Sequence, residues 1–316
     1  MELKIFDFDK DQYLIPNFLQ VRAIAHKEAL QDTSWFHWKF EASPYGKSIL
    51  AVAIDKDIIA GCVAMGLGMA HVNGKELKCA LSYDTFVNVD YQGKGLFKKL
   101  ISLAEEELKR QNVSILYNFP NTSSITGFRH MGWKYVEDVV EYRIKVLKPF
   151  RTMSFLKDLK QSFMPASPNL NLLPKSVDFD NFYSENNVVT PIWNKEYLAW
   201  RFLTHPVSEY IVDDTDDYVA IARIGFRGHL KEAQILFIES KHGETSKSIV
   251  KRAIKAVSKQ SNVDIISISL SNCSHIYSKL GFTIKVPTRA NFTYKILDDT
   301  TDVGRFCINA IDFHTY

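Results

Sequence analysis

Tyr91-Gln92-Gly93-Lys94-Gly95-Leu96-Phe97 joins two segments of different periodicity. Before it, Leu81, Tyr83, Val87 and Val89 alternate with Ser82, Asp84 and Asn88, the two-residue period of a half-buried strand. After it, Phe97, Leu100, Ile101, Ala104 and Leu108 recur along one helix face and leave Lys98, Lys99, Glu105, Glu106, Lys109 and Arg110 to water, which predicts a helix over Leu96–Gln111. A helix that starts at the second glycine aims its unpaired N–H groups and its positive dipole end back into the bend. The bend is therefore built to hold an anion, phosphate above all. A strand feeding a helix through such a turn also points to an α/β architecture for this part of the chain.

Two nucleotide-binding motifs fail against these residues. A P-loop needs Lys-Ser or Lys-Thr at the helix start, and a dinucleotide fold needs the wider Gly-x-Gly-x-x-Gly spacing; neither is present. The stretch instead resembles the acyl-coenzyme A loop of the GCN5-related N-acetyltransferases, Gln/Arg-x-x-Gly-x-Gly/Ala, read here as Gln92 to Phe97. Phe97 departs from the pattern, standing where the family has a small residue. A second family signature follows in family order: a strand, Ser114 to Phe119, then Asn121 opening a helix, an aromatic residue at Phe128 and the pair Gly132-Trp133. The resemblance covers Met1 to Val146 and implies a mixed sheet there.

The resemblance implies acetyl-CoA as co-substrate, held by Gln92, Gly93, Lys94, Gly95 and Leu96 at the diphosphate and by the backbone of Phe86, Val87 and Val89 along the pantetheine arm. Asn121 and Phe128 complete the expected coenzyme set. Acyl transfer to an amine needs a proton acceptor, polarisation of the thioester carbonyl and a proton for the leaving thiolate. The family's usual acid, a Tyr, is replaced by Phe128, whose ring has no proton to give, so Tyr277, Tyr142, Tyr117 or a water is the expected donor. Asp84, a carboxylate in a strand interior where such residues are disfavoured, is the candidate base or acceptor-binding acid. The alternative is that it bonds a loop N–H or a neighbouring Arg.

A faint internal repeat runs through the chain. Trp38-Lys39-Phe40 with Pro44 matches Trp200-Arg201-Phe202 with Pro206, and Asn121 with Phe128 to Trp133 matches Asn272 with Tyr277 to Phe282. Two tandem acyl-CoA N-acyltransferase-like domains are expected: 1–148 carrying the coenzyme site, a proline-rich linker over 149–176, and a degenerate copy over 177–316. The copy keeps a strand over Glu232 to Ile238 and a helix over Ser246 to Ser258, but one glycine between them, with Glu239 and Glu244 placed to repel a diphosphate. In the linker, Phe155, Leu156, Leu159 and Phe163 alternate with basic residues and predict a connector helix packed on its own domain. Trp35, His37 and Tyr83 are the acceptor-site candidates; Trp35 and His37 have no counterpart in the second copy, which offers Tyr197 and Ala199 instead.

Composition narrows the function class. A chain of 316 residues with 46% hydrophobic content fills about two domains, and a net charge of +3 leaves no nucleic-acid footprint. Four cysteines without a CxxC pair and nine histidines without metal-ligand spacing suggest neither disulfide nor metal chemistry. No membrane span is expected, and an N-terminus that interleaves charged with apolar residues predicts a cytoplasmic protein without a secretory signal. The expected activity is transfer of an acetyl group to a small amine. The Trp38-Lys39-Phe40 segment, with Pro44-Tyr45-Gly46, resembles acetyltransferases of cell-surface polysaccharide pathways and suggests an amino sugar or its nucleotide conjugate. The alternatives are a non-catalytic acyl-CoA-binding module and an aminoacyl transferase of the peptidoglycan-building kind. The acceptor, the acyl length and the oligomeric state are not encoded in any motif found.

Overall fold

The computed structural model describes residues 1–137, 139–166, 179, 188–206, 210–271, 279–281, 283–286, 291–298 and 301–313. The chain divides into two compact units. The first comprises Met1–Glu137, Ser184–Val189 and Asn291–Gly304; the second comprises Asp138–Tyr183, Thr190–Ala290 and Arg305–Tyr316.

In chain order the first unit contains β1 (Glu2–Ile5), α1 (Ile15–His26), α2 (Thr33–Phe40), β2 (Ile49–Asp55), β3 (Ile58–Val72) and β4 (Lys75–Val87). Then come α3 (Leu96–Arg110), β5 (Ile115–Asn118), α4 (Ile125–His130) and β6 (Lys134–Val136). Its sheet has the order β1-β2-β3-β4-β5-β15-β6, where β15 is Phe292–Ile296 from far along the chain. β4 and β5 run parallel, joined by α3 as a crossover. One face packs on the apolar stripe of α3, where Leu96, Leu100, Ile101, Ala104 and Leu108 meet Ala51, Val63, Met65, Ala80 and Leu116. On the other face lie α1 and α2, whose Phe18, Phe36 and Phe40 form an aromatic cluster with Phe6, Phe8 and Phe86.

The second unit contains β7 (Val140–Val146), α5 (Pro149–Ser154), β8 (Met164–Pro165), part of β9 (Val188–Pro191), α6 (Lys195–Leu198), β10 (Tyr210–Asp214) and β11 (Tyr218–Arg227). β12 (Leu230–Ser240), α7 (Lys247–Ser261), β13 (Ile265–Ser271) and β14 (Ile284–Val286) complete it. Its sheet has the order β10-β11-β12-β13-β7-β14, with β12 and β13 parallel around the crossover helix α7. The succession of pairings is that of the first sheet from β2 onward. In each sheet the strand after the parallel pair comes from the other half of the sequence: β15 lies antiparallel between β5 and β6, and β7 lies antiparallel between β13 and β14.

The sequence reading leaves Val140–Val146 in the first domain and Phe292–Ile296 in the second; the structure exchanges them. Each strand fits either sheet by alternation alone, since period two says only that a segment is a strand and not which edge it completes. The expected connector is built into the second unit over its described part. Phe155 stacks on His229 with ring centroids 4.9 Å apart, and Leu159 is buried beside Leu230 and Ile265. Residues 167–176 of the proposed linker lie outside the described residues.

A chain ended before Asn291 lacks the strand that joins β5 to β6. Such a truncation is expected to leave the first unit unfolded although its N-terminal residues are all present, as read by near-ultraviolet circular dichroism. A soluble, cooperatively melting 1–148 fragment would contradict the exchange.

Candidate active site

The glycine bend forms as its residues dictate. Asn88 Oδ1 accepts the Asp90 N–H at 3.3 Å and shapes a short turn over Val89–Tyr91. Gly93 and Gly95 then take φ of +75° and +70°, the left-handed region that glycine enters without strain. A Cβ at either glycine would meet nothing within 4 Å, so both face open space. Gly95 caps α3 without any side-chain hydrogen bond, which leaves the first-turn N–H groups of the helix without a side-chain acceptor. The side chains of the loop turn inward: Lys94 Nζ donates to the Asp90 carbonyl at 3.2 Å and sits 4.6 Å from the Tyr91 ring, and Gln92 Nε2 donates to the Val87 carbonyl at 3.4 Å. Open space, a positive helix end and backbone donors together fit a diphosphate, so the residues present suit a coenzyme A there.

From this loop a free strand edge runs back into the sheet. β4 pairs with β5 only from Cys79↔Ile115 to Ser82↔Asn118, while β4 itself continues to Val87. The edge of β4 beyond Ser82, which includes Phe86 and Val87, is thus available to hydrogen-bond an extended ligand as an added strand would.

Where the strands part, β4 bulges. Tyr83 faces Ala64 and Phe86 faces Cys62, so Asp84 and Thr85 together oppose Val63. Asp84 has φ of +43°, a conformation that Asp tolerates better than most residues. The bulge sends the Asp84 side chain to the α1 and α2 layer, the side that also holds Tyr83, which stacks on Phe40 and shares a 2.6 Å hydrogen bond with Ser48.

Phe18, Arg22 and His26 recur every fourth residue and therefore lie on one stripe of α1. Arg22 Nε donates to Asp84 Oδ1 at 2.7 Å, and Lys39 of α2 lies 2.5 Å from Oδ2. The Trp35 ring lies against both cations, 4.4 Å from the Arg22 guanidinium and 4.7 Å from the Lys39 ammonium. Burial pushes the Asp84 carboxyl upward, but Lys39 and Arg22 outweigh it and hold the group at about 2. His26 Nε2 is 3.6 Å from Asp84 Oδ1, and burial lowers the imidazole below its ordinary 6.5 in spite of that carboxylate. The second of the two roles considered for Asp84, partner to a neighbouring Arg, is the one the geometry displays, and a carboxylate held at about 2 has little affinity for an amine proton.

The second family signature is also built. Asn121 Oδ1 accepts the Ser124 N–H at 3.0 Å and the Ser123 hydroxyl at 2.6 Å, which opens α4. Phe128 is 1% exposed between Phe97 and Trp133, with centroids 5.2 Å and 4.9 Å away, so it supports the wall behind the loop and presents no surface to a ligand. Phe97 fits because its partner on α4 is a glycine: a Cβ on Gly127 would come within 2.6 Å of the Phe97 ring. Trp133 Nε1 donates to Glu105 at 2.9 Å, tying the Gly-Trp pair to α3.

The remaining candidates separate. Trp35 is 2% exposed and serves the ion cluster, whereas His37 is exposed and paired with Glu41. Val89 is 70% exposed beside the loop. Tyr142 lies on β7 in the second unit, opposite Ser269 and Val286, and Tyr277 lies outside the described residues. His26 was not singled out from the sequence; its only signal was the four-residue spacing from Arg22 and Phe18.

In the second unit the corresponding turn is closed by its own side chains. Ser246 caps α7 by accepting the Ile249 N–H at 3.3 Å, and Thr245 donates to Glu239 at 2.8 Å. Burial raises the Glu239 carboxyl to about 7, and Glu244 pairs with Lys279.

Residues 15–136 match the model of a family described as an acetyltransferase (GNAT) domain. Comparison of the sequence with curated proteins gives no match. Among solved structures, the chain is similar to a GCN5-related N-acetyltransferase from Anabaena variabilis, with a TM-score of 0.61 and 11% identity over 94% of this chain and 73% of that one. It is similar to a probable N-acyltransferase from Enterococcus faecalis, with a TM-score of 0.59 and 12% identity over 95% of this chain and 73% of the other. Eis1 from Mycobacterium abscessus matches with a TM-score of 0.56 and 11% identity over 94% of this chain and 74% of its own. At these identities the likeness is one of fold.

Two stability changes follow from this geometry. Asp84→Asn leaves two buried cations without their carboxylate and is expected to cost about 3–5 kcal/mol in a denaturant titration. Because the folded pKa lies below the unfolded one, the contribution of Asp84 is present above about pH 4 and lost as pH falls toward 2. The Asn variant should therefore lose part of the acid limb of the parent's stability curve. Gly127→Ala is expected to cost about 1–3 kcal/mol by overpacking against Phe97. Phe97→Leu should restore most of that loss, and additive effects would show that the two residues do not share a contact.

Proposed function

Because residues 15–136 form a GCN5-related N-acetyltransferase domain, we propose that the chain is an acyltransferase that moves an acyl group, acetyl or another short chain, from coenzyme A to a small amine. The observation that carries this reading is the continuity of the first unit's site: an uncapped helix start facing open space, then a free strand edge, then a bulge beside titratable groups. Acyl-CoA, when bound, supplies the activated acyl carbon. Gln92 to Leu96 hold the diphosphate through backbone N–H groups, and the N–H groups near Phe86 and Val87 hold the arm and polarise the carbonyl.

His26 takes the amine proton. Its lowered pKa keeps the ring neutral near pH 7, and its side chain is 27% exposed while Nε2 is buried toward Asp84. Asp84, ionised and fixed by Arg22 and Lys39, orients the imidazole and stabilises the charge it acquires. Phe128 can return no proton to the thiolate, so within the first unit Tyr117 of β5 or a water is the donor to test. The second unit, with its turn closed by Ser246 and Glu239, serves as a scaffold without a coenzyme site of its own. The amino-sugar acceptor is supported by sequence resemblance alone, since Trp35 and Trp38 are buried and offer no open aromatic platform. No helix among the described residues is long and apolar enough to cross a membrane. A cytoplasmic location belongs to the proposal because acyl-CoA is made there.

The test is thiol release from acetyl-CoA across a panel of amines. Gly93→Val with Gly95→Val should abolish coenzyme binding in a folded protein. His26→Gln should keep that binding and lower kcat by about a hundredfold, as loss of a general base typically does. The parent's kcat/KM should rise with pH through the His26 pKa, below 6.5, and the variant should lack that limb. Coenzyme binding without thiol release for any amine would favour the acyl-CoA-binding module instead.

A further inference from the structure

On the face of the first sheet that meets α3, β4 presents Ala80 and Val87 to the apolar core, yet between them stand Ser82, just before the bulge, and Thr85, within it. Ser82 begins a polar row across the sheet. It lies beside Asn118 of β5, Asn118 lies beside Thr293 of β15, and paired residues share a face. Ser82 is 2% exposed, Asn118 7% and Thr293 0%. The hydroxyl oxygens of Ser82, Thr85 and Thr293 are all shut off from solvent without a hydrogen-bond partner. Each such group costs about 1–3 kcal/mol when left unpaired, so three on one face of the sheet are an expensive arrangement for packing alone.

We propose that this row is the floor of the acyl pocket and that the preferred donor carries a short acyl chain bearing a hydroxyl or another uncharged polar group. The inference rests on the coenzyme reading of the glycine bend. A diphosphate at Gln92–Leu96 sends the arm back along the free edge of β4, over roughly 13 Å from Val87 to Tyr83 at about 3.3 Å per residue. The arm ends where β4 and β5 close together, which is the rung of Ser82 and Asn118. That rung stops a long chain, and the hydroxyls around it offer donors and acceptors to the tip of a short one.

The group they meet is neutral. The cation near the row on this face, Lys295, is committed to Glu105 at 2.6 Å and to the Met131 carbonyl at 2.9 Å. Among the described residues, Lys295 thus offers no uncommitted counter-charge to a carboxylate on the acyl tip. Thr293 also gives the exchanged strand a part in selectivity, since it is contributed by a segment near the far end of the sequence.

Calorimetry on the full chain tests this with three ligands: coenzyme A, butyryl-CoA and β-hydroxybutyryl-CoA. The parent should favour β-hydroxybutyryl-CoA over butyryl-CoA by about tenfold, the worth of one satisfied buried hydrogen bond. Ser82→Ala with Thr293→Val should reduce that ratio to about twofold or less and leave coenzyme A itself unaffected, while Thr293→Ser, which keeps the hydroxyl, should retain it. Equal binding of the two acyl forms by the parent, or a ratio that survives in the double variant, would overturn the proposal and leave the row to buried water. If the double variant does not fold, the parent's ratio decides. Failure of coenzyme A to bind at all would be seen before any acyl chain is compared; it would remove the coenzyme reading and this inference with it.

Discussion

The bulge at Asp84 and Thr85 is the constraint on which the first unit turns. An unbroken strand would place Asp84 on the α3 side, inside an apolar core where a carboxylate has no partner. One extra residue moves it to the α1 and α2 layer, where Arg22 and Lys39 wait, and the same irregularity lies just beyond the last rung shared with β5. Charge satisfaction and site opening thus share one local device. The burial of Trp35 between the two cations follows from it as well, because their attraction to the ring helps offset the loss of hydration.

The features legible in the sequence were those fixed by near neighbours. The glycine bend, the helix Leu96–Arg110, the strand Ile115–Asn118 and the Asn121 turn each depend on residues within a few positions, and each forms where the pattern places it. Even the departure at Phe97 has a local answer in Gly127. The strand Leu81 to Val89 was legible as a strand but not as a bulged one, because alternation carries no mark where one residue is added. Asp84 looked like a base because its partners lie 62 and 45 positions away, at Arg22 and Lys39, and nothing near it announces them. His26 stayed hidden for the same reason.

Two strand-to-helix turns of similar outline show how small the difference is between a site and a scaffold. At Gly95 the helix begins without a side-chain cap, and its donors face space; at Ser246 a hydroxyl fills that role. Glu239, buried and held near 7 by burial, makes its turn still less hospitable to anions whenever it ionises. The sequence reading of Glu239 as a repelling charge needs that amendment, since much of the group is protonated at neutral pH.

The exchange of β7 and β15 also bears on how such a chain is made and how it can change. The sheet of the first unit cannot close until Phe292–Ile296 has been synthesised, so its parallel pair keeps an open edge beside β5 while all the residues between Asn118 and Phe292 are made. Folding that waits on contacts separated by some two hundred residues is slow and exposed to mispairing. Neither half can be lost, duplicated or traded with another protein without breaking both sheets, and the halves are therefore bound to a common evolutionary fate.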